Sequence, residues 1–360
     1  MTQSPKIITI AEASDQHPRH SEPAMIERRD GTLLLVWQEY LKSSKGTEDD
    51  APNRIVSMTS RDGGHSWSDH QVLIENTPGD VNVYSPSFVR MEETGEILFF
   101  FFRYHVMEAG KKTVSSCYCR RSRDDGRTFA DETLVWDHMP YGCASSVVKR
   151  LKSGRLVMPI CRQMGEDWSP TDHWESTTIQ SDDAGRTWRE SRVWTDVPMR
   201  GVMEPHVEEL KDGRLFMVSR TQLGSVFQSH SSDHGETWSK PQTTGRSAPE
   251  SCPELVRVPK TGDLMLIWNN SQYDPKFSSH FGKRSPLTAG ISNDDGESWK
   301  IIKNIVDDPK LCYSNPVAFF TSKGSCLVSY FEIPYTKEWT MNSPVCHLRS
   351  AVFDIDWLYS

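Results

Sequence analysis

Five short segments of the chain share one pattern, S-x-D-x-G-x-[ST]-[WF], and that repetition restricts the fold more than any other feature. The copies are SRDGGHSW from Ser60, SRDDGRTF from Ser122, SDDAGRTW from Ser181, SSDHGETW from Ser231 and SNDDGESW from Ser292. Each begins 50 to 62 residues after the last. Self-similarity at this period marks a repeat architecture. Within a copy, the Asp and Ser side chains bond nearby backbone N–H groups, Gly takes positive φ, and the aromatic residue returns to the core. That is β-hairpin chemistry. The conspicuous acids of these octapeptides are therefore structural rather than catalytic.

A second motif precedes each octapeptide: a short strand, a Gly turn and an apolar strand. Its copies are EPAMIERRDGTLLLVWQE, SPSFVRMEETGEILFFFFR, ASSVVKRLKSGRLVMPICR, EPHVEELKDGRLFMVSR, CPELVRVPKTGDLMLIWNN and NPVAFFTSKGSCLVSYFE. The sixth lacks the octapeptide but runs into a strand-like stretch, Val345 to Phe353. Each unit reads as four antiparallel strands, which is one propeller blade. The expected fold is all-β, a six-bladed β-propeller of four-stranded antiparallel blades, in one domain over residues 1–360. The strand near Ile7 to Ile10 is expected to help close the ring.

Composition narrows the function classes. The net charge is −8 with no basic stripe, which argues against nucleic acid as a partner. The longest apolar run, Ile97 to Phe102, is strand-sized, so no membrane span is expected. The start, MTQSPKIITI, does not read as a signal peptide, and a cytoplasmic location is the expectation. Eight cysteines without a C-x-x-C read as buried reduced thiols. No cofactor and no metal site is expected, since no H-E-x-x-H or comparable spacing occurs.

Topology then gives the site an address. With strands lettered A to D from the channel outward, the A–B Gly turn and the C–D octapeptide lie on one face. The start of A, the end of B and the B–C loops lie on the other. Strand B ends in Glu39, Arg103, Arg162, Arg220, Asn270 and Glu332, seven or eight residues beyond the turn Gly. Apolar runs that each end in a charge or amide suggest a ring of polar groups around one pocket. The alternative is polar heads capping strand ends. The first and fifth B–C loops are long and contain Glu48, Asp49 and Asp50, and His280 and Arg284.

The five octapeptides (Asp-boxes) and the A–B motif, from about His17 to Phe353, resemble the sialidases (neuraminidases) and the wider sialidase-like BNR-repeat proteins. The resemblance implies a tyrosine nucleophile, a glutamate that activates it, an aspartate acid/base and three arginines that clamp a sugar carboxylate. Carried over residue by residue, Tyr313 in YSNPVAFF is the nucleophile, with Glu332 closing the same unit. Glu204 in EPHVEELKDG is the activating glutamate. Arg220 and Arg284, the latter in RSPLT, are clamp arginines. Asp50 in DDAPN is the acid/base, with Asp49 as the fallback. The implied reaction is retaining exo-hydrolysis of a terminal acidic sugar, so the implied partner is a carbohydrate bearing a carboxylate. A phenol nucleophile suits an anomeric centre next to a carboxylate, and its free pKa of roughly 10 demands a base.

One departure stands out. The family opens its first unit with Arg-Ile-Pro, and this chain has Ser21 where that arginine belongs. Ser85 stands where a further pocket aspartate is often found. Losing one guanidinium fork costs roughly 2–5 kcal/mol of substrate binding, unless Arg19, Arg103 or Arg162 compensates. His20, His105 and His206 also fall at pocket-end positions. A histidine with a tyrosine can abstract a proton α to a uronate carboxylate, so a polysaccharide lyase or a uronic-acid glycoside hydrolase is the second reading. A non-catalytic carbohydrate-binding propeller is the third.

Overall fold

Each repeat unit folds as its hydrogen-bonding residues dictate. In the first Asp-box, Ser60 Oγ donates to Asp62 Oδ1 at 2.8 Å and accepts from Gly64 N at 2.9 Å. Asp62 also takes the N–H groups of His65 and Ser66 and the Ser66 hydroxyl. The Ser-to-Asp bond recurs at Asp124, Asp183, Asp233 and Asp294. Burial works against the Asp62 charge, yet the Ser66 hydroxyl and amide bring its pKa down to about 2. A carboxylate so engaged is committed to its turn.

The computed structural model describes residues 4–107, 112–139, 142–143, 148–164, 173–277, 280–335 and 345–360. It contains six antiparallel blades arranged as a β-propeller. Blade 1 comprises His20–Glu27, Leu33–Tyr40, Asn53–Ser60 and Ser68–Ile74. Blade 2 comprises Asp80–Arg90, Ile97–Met107, Lys112–Ser122 and Ala130–Met139. In blade 3 the inner strand is two short pieces, Gly142–Cys143 and Lys149–Arg150, followed by Leu156–Gln163, Trp174–Ser181 and Arg189–Glu190. The opening of that unit, 144–147, lies outside the described residues. Blade 4 comprises Val202–Glu209, Leu215–Thr221, Ser225–Ser231 and Gln242–Ser247, and blade 5 Glu254–Arg257, Leu264–Asn269, Leu287–Ser292 and Lys300–Val306. Blade 6 is Leu311–Phe320, Ser325–Pro334 and His347–Asp354, completed by the N-terminal strand Lys6–Ala11. That strand pairs antiparallel with His347–Asp354, so the first residues of the chain close the ring on the last.

The strand B runs are apolar throughout because blades pack on both faces of them. Phe99, Phe100, Phe101 and Phe102 are all within 1% of full burial. Alternate members enter different cores, Phe100 and Phe102 one and Phe99 and Phe101 the other. Burying each such ring stabilises the fold by about 1.5–3 kcal/mol. The Gly turns and the Asp-boxes share a face, as contacts between neighbouring blades show. Arg29 N in the first Gly turn donates to Asp125 Oδ2 at 2.7 Å, and Lys211 N to Asp295 Oδ2 at 2.8 Å. The seven cysteines with described side chains are all buried. Among the described residues no helix is long and apolar enough to cross a membrane, and no three His, Cys, Asp or Glu side chains gather as a metal site.

Candidate active site

A bulge in strand A recurs in four blades. In blade 1 the register passes from Ser21↔Gln38 to Ala24↔Val36, so Glu22 and Pro23 together oppose Trp37. The same slip occurs in blades 2, 4 and 6. In each, the residue before a proline takes left-handed φ: Glu22 at 50°, Ser85 at 51°, Glu204 at 48° and Asn315 at 46°. A side chain there is sterically disfavoured and the following proline restricts it further. Such strain persists only where surrounding structure imposes it, and it concentrates at functional sites. Glu22, Glu204 and Asn315 are partly exposed within strands otherwise mostly buried.

Two groups of side chains surround these bulges. In blade 1, Arg19 donates to Asp49 Oδ1 at 2.6 Å and to Ser21 Oγ at 3.1 Å, and lies over the Tyr40 ring. Gln38 Nε2 donates to Glu22 Oε2 at 3.1 Å. In blades 4 and 5, Arg220 forks between Glu204 at 2.9 Å and Glu250 at 3.2 Å. Arg200 also pairs with Glu250, which is 1% exposed. Arg284 donates to the Ser314 hydroxyl and, at 2.9 Å, to the Glu250 carbonyl. No carboxylate among the described residues pairs with Arg284. Burial first, and the Arg220 charge second, lower its pKa.

The two groups meet electrostatically at Glu22. Burial raises its pKa to about 7; Arg19 opposes the rise, and Asp49 and Glu204 add to it. The assembly therefore holds four arginines (Arg19, Arg200, Arg220, Arg284) and four carboxyl groups (Glu22, Asp49, Glu204, Glu250). With Glu22 protonated it carries one positive charge in excess.

The structure brings Glu204, Arg220, Arg284, Ser21 and Ser85 to this region and places the other candidates elsewhere. Asp50 is paired with Lys45, while neighbouring Asp49, the more exposed of the two, bonds Arg19. Tyr313 is 2% exposed and packs edge-on against Tyr330. Its hydroxyl accepts from Asp308 N at 3.1 Å, and its electrostatic neighbours are Asp307, Asp308 and Glu332 rather than Glu204. Glu332 is tied to Arg349. Arg103 and His105 both bind Asp80, at 2.7 and 2.6 Å. Arg162 pairs with Glu175 and stacks on Trp194. His20 accepts from Trp37 Nε1, and burial lowers its pKa to about 4. His206 is buried between Glu254 and Cys252. Asn270 is exposed beyond its strand.

Strand parity explains most of these placements. Side chains alternate across a strand, so one residue of offset reverses the face. Arg220 stands seven residues after its turn Gly, whereas Glu39, Arg103, Arg162, Asn270 and Glu332 stand eight after theirs. In register with Arg220 are Gln38, Phe102 and Phe331, each opposite the residue before a bulge. Tyr313 pairs with Glu332, on the opposite phase. Glu22, Gln38, Asp49 and the connection residues Arg200 and Glu250 complete the site. The Glu-Pro that opens both the first and fourth units was the available signal for Glu22. A separate groove of about 260 Å³, lined by Arg28, Arg61, Asp69, Arg127 and Phe129, lies on the Asp-box face and shares no residue with this site.

Fold and site together define a sialidase-like β-propeller with a mixed cluster of arginines and carboxylates. Residues 31–343 match the BNR repeat-like domain, and the chain belongs to that family. A sialidase of Micromonospora viridifaciens is 25% identical over 376 residues, covering 95% of this chain and 52% of the relative. The chain thus spans about half the length of that relative. Among solved structures, the NanB sialidase of Streptococcus pneumoniae superposes with a TM-score of 0.72 at 16% identity, over 98% of this chain and 71% of that one. The intramolecular trans-sialidase of Ruminococcus gnavus, solved with oseltamivir carboxylate, gives 0.72 at 15% identity, over 99% and 98%. A protein of unknown function from Dyadobacter fermentans gives 0.71 at 17%, over 97% and 99%.

Proposed function

We propose that the protein is a glycoside hydrolase that removes a terminal sugar bearing a carboxylate. The observation that carries this reading is Arg284, a buried guanidinium beside Arg220 that no carboxylate among the described residues approaches to ion-pair distance, Glu204 acting on it only from further away. Buried charges require partners. A carboxylate on the substrate supplies one, through charge-assisted bonds that Arg284 and Arg220 donate. The carboxyl groups Glu22, Asp49 and Glu204 supply the acid and base that glycoside cleavage needs. The similarity to the M. viridifaciens sialidase supports the same class of reaction.

The tyrosine route is not carried into this proposal, because the Tyr313 hydroxyl faces Asp308 rather than Glu204. A histidine-driven lyase is also set aside, since His20, His105 and His206 are each engaged outside the pocket. The test is a panel of fluorogenic glycosides of sialic acid, deaminated sialic acid, glucuronic acid and galactose. Turnover of an acidic glycoside and not of the galactoside is expected. Binding of acidic sugars without turnover would make the protein a lectin, and turnover of the neutral sugar alone would refute the proposal.

A further inference from the structure

We propose that Glu22 is the general acid of this pocket, donating its proton to the glycosidic oxygen as the bond to the anomeric carbon breaks. This rests on the glycoside-hydrolase reading. The strand bulge fixes the position: Glu22 occupies in blade 1 the place that Glu204 occupies in blade 4, at nearly the same left-handed φ. The two side chains are thus presented to the pocket by identical devices from different blades.

Neighbouring hydrogen bonds orient the Glu22 carboxyl. Ser21 Oγ and Tyr40 Oη donate to Gln38 Oε1 at 3.3 and 3.2 Å. The Gln38 amide therefore turns its NH2 toward Glu22 and donates at 3.1 Å. The Ser85 N–H also reaches the Glu22 carboxyl. Both partners donate, so neither takes up an acid proton on Glu22. The charged groups facing Glu22 are Arg19 and Asp49 of blade 1 and Glu204 of blade 4, with Arg220 behind Glu204. Burial and the two carboxylates outweigh Arg19, so the proton stays on Glu22 to about pH 7. Asp49, the blade 1 carboxyl neighbouring Glu22, is bonded to Arg19 at 2.6 Å.

The step balances without a further reactant. The Glu22 proton passes to the glycosidic oxygen, and the anomeric C–O bond breaks with its electron pair leaving on the alcohol. A water oxygen bonds to the anomeric carbon, and its proton goes to the Glu204 carboxylate. Exchange with solvent returns both groups to their starting states.

General acid catalysis matters most for poor leaving groups, which gives the test its discrimination. Wild type, Glu22→Gln and Asp49→Asn are compared on an alkyl and an activated aryl glycoside of the acidic sugar that wild type turns over, between pH 4 and 9. Wild-type kcat/KM should fall above about pH 7. Glu22→Gln should lose about 10²–10⁴-fold on the alkyl glycoside, far less on the aryl one, and lose the alkaline limb. Asp49→Asn should keep that limb. Turnover by Glu22→Gln with an unchanged pH profile, or equal losses on both substrates, overturns this role alone. Absence of any wild-type turnover removes the hydrolase reading and this role with it. A thermal melt at pH 6 checks folding. If Glu22→Gln does not fold, Glu22→Asp, which withdraws the carboxyl by one methylene, should lower kcat more than it changes KM; an unchanged kcat overturns the role.

Discussion

Glu22→Gln should stabilise the protein at alkaline pH and leave it almost unchanged at acid pH. The ordinary carboxyl value is 4.5, and in the fold burial raises Glu22 to about 7. Between those values the folded state holds a proton that the unfolded state has lost. Stability therefore falls as pH rises through that window and levels off above it. At about 1.36 kcal/mol per pKa unit, the full penalty above pH 7 is about 3 kcal/mol. Solvent at the pocket mouth screens part of it, so about 2–3 kcal/mol is the working figure. Glutamine keeps the shape and the bond from Gln38 but does not titrate. The assay is urea unfolding of both proteins at pH 5, 6, 7, 8 and 9, followed by tryptophan fluorescence and far-UV circular dichroism. The variant-minus-wild-type difference should grow by about 2–3 kcal/mol from pH 5 to pH 8 and then flatten. A difference constant across that range would refute the claim that Glu22 is a partly desolvated, proton-retaining acid. So would one that grows as pH falls.

Other residues give equally definite expectations. Arg284→Met should weaken binding of an acidic sugar by about 30-fold or more in isothermal titration, from the roughly 2–5 kcal/mol carried by a buried charge-assisted pair; unchanged affinity would place the carboxylate elsewhere. Tyr313→Phe removes the bond from Asp308 N and should cost about 1 kcal/mol in urea unfolding while turnover persists; abolished turnover in a folded variant would return the nucleophile role to this phenol. Asp50→Asn, at an exposed surface pair, should leave both stability and turnover within about twofold in the same assays. Asp183→Ala strips the bonds from the Ser181 hydroxyl, the Arg186 and Thr187 amides and the Thr187 hydroxyl, and should destabilise by about 2–4 kcal/mol with no effect on KM.

The architecture was legible because local chemistry repeated. An Asp-box carries its own hydrogen-bond partners within a few residues, so its pattern predicts its structure without tertiary information. The site was legible where a residue stood at a strand end in the right phase, as Arg220 does, or before an X-Pro bond in a strand-opening motif, as Glu204 does. It was illegible where one residue of phase decided the face. Glu39, Arg103, Arg162 and Glu332 end their strands as Arg220 does, yet each is taken up by a partner on the blade flank: Arg54, Asp80, Glu175 and Arg349. Hydrophobic pattern gives no warning, because strand B is buried on both faces and shows no alternation to count. Loop partners were hidden for a different reason. Glu250 and Arg200 lie in D–A connections, and the pairs Glu250 makes with Arg220 and Arg200 exist only once blades 3, 4 and 5 are packed around the axis.

The bulges explain how a repeat built for uniform packing acquires a site with individual character. A regular strand A would send its side chains alternately to its two sides, as Tyr313 goes into the core shared with blade 5 and His20 onto Trp37 of its own blade. The extra residue breaks that alternation once per strand, and in blades 1, 4 and 6 the residue at the break is partly exposed. The proline that follows denies the bulge a backbone donor, so the slip cannot be repaired by an added ladder bond. Chemistry can then change at one position without disturbing the blade. Glutamate stands there in blades 1 and 4, serine in blade 2 and asparagine in blade 6, at φ values within a few degrees of one another. The bulge conformation is thus common to the four blades, and what differs is the side chain it carries. Exchanging Glu22 and Ser85, as Glu22→Ser with Ser85→Glu, should keep the fold, since both positions already hold a non-glycine residue in the same conformation. It should move the titrating carboxyl toward blade 2, and with it the alkaline limb of any turnover. A double variant that folds and retains the wild-type pH profile would show that the bulge positions do not control the chemistry.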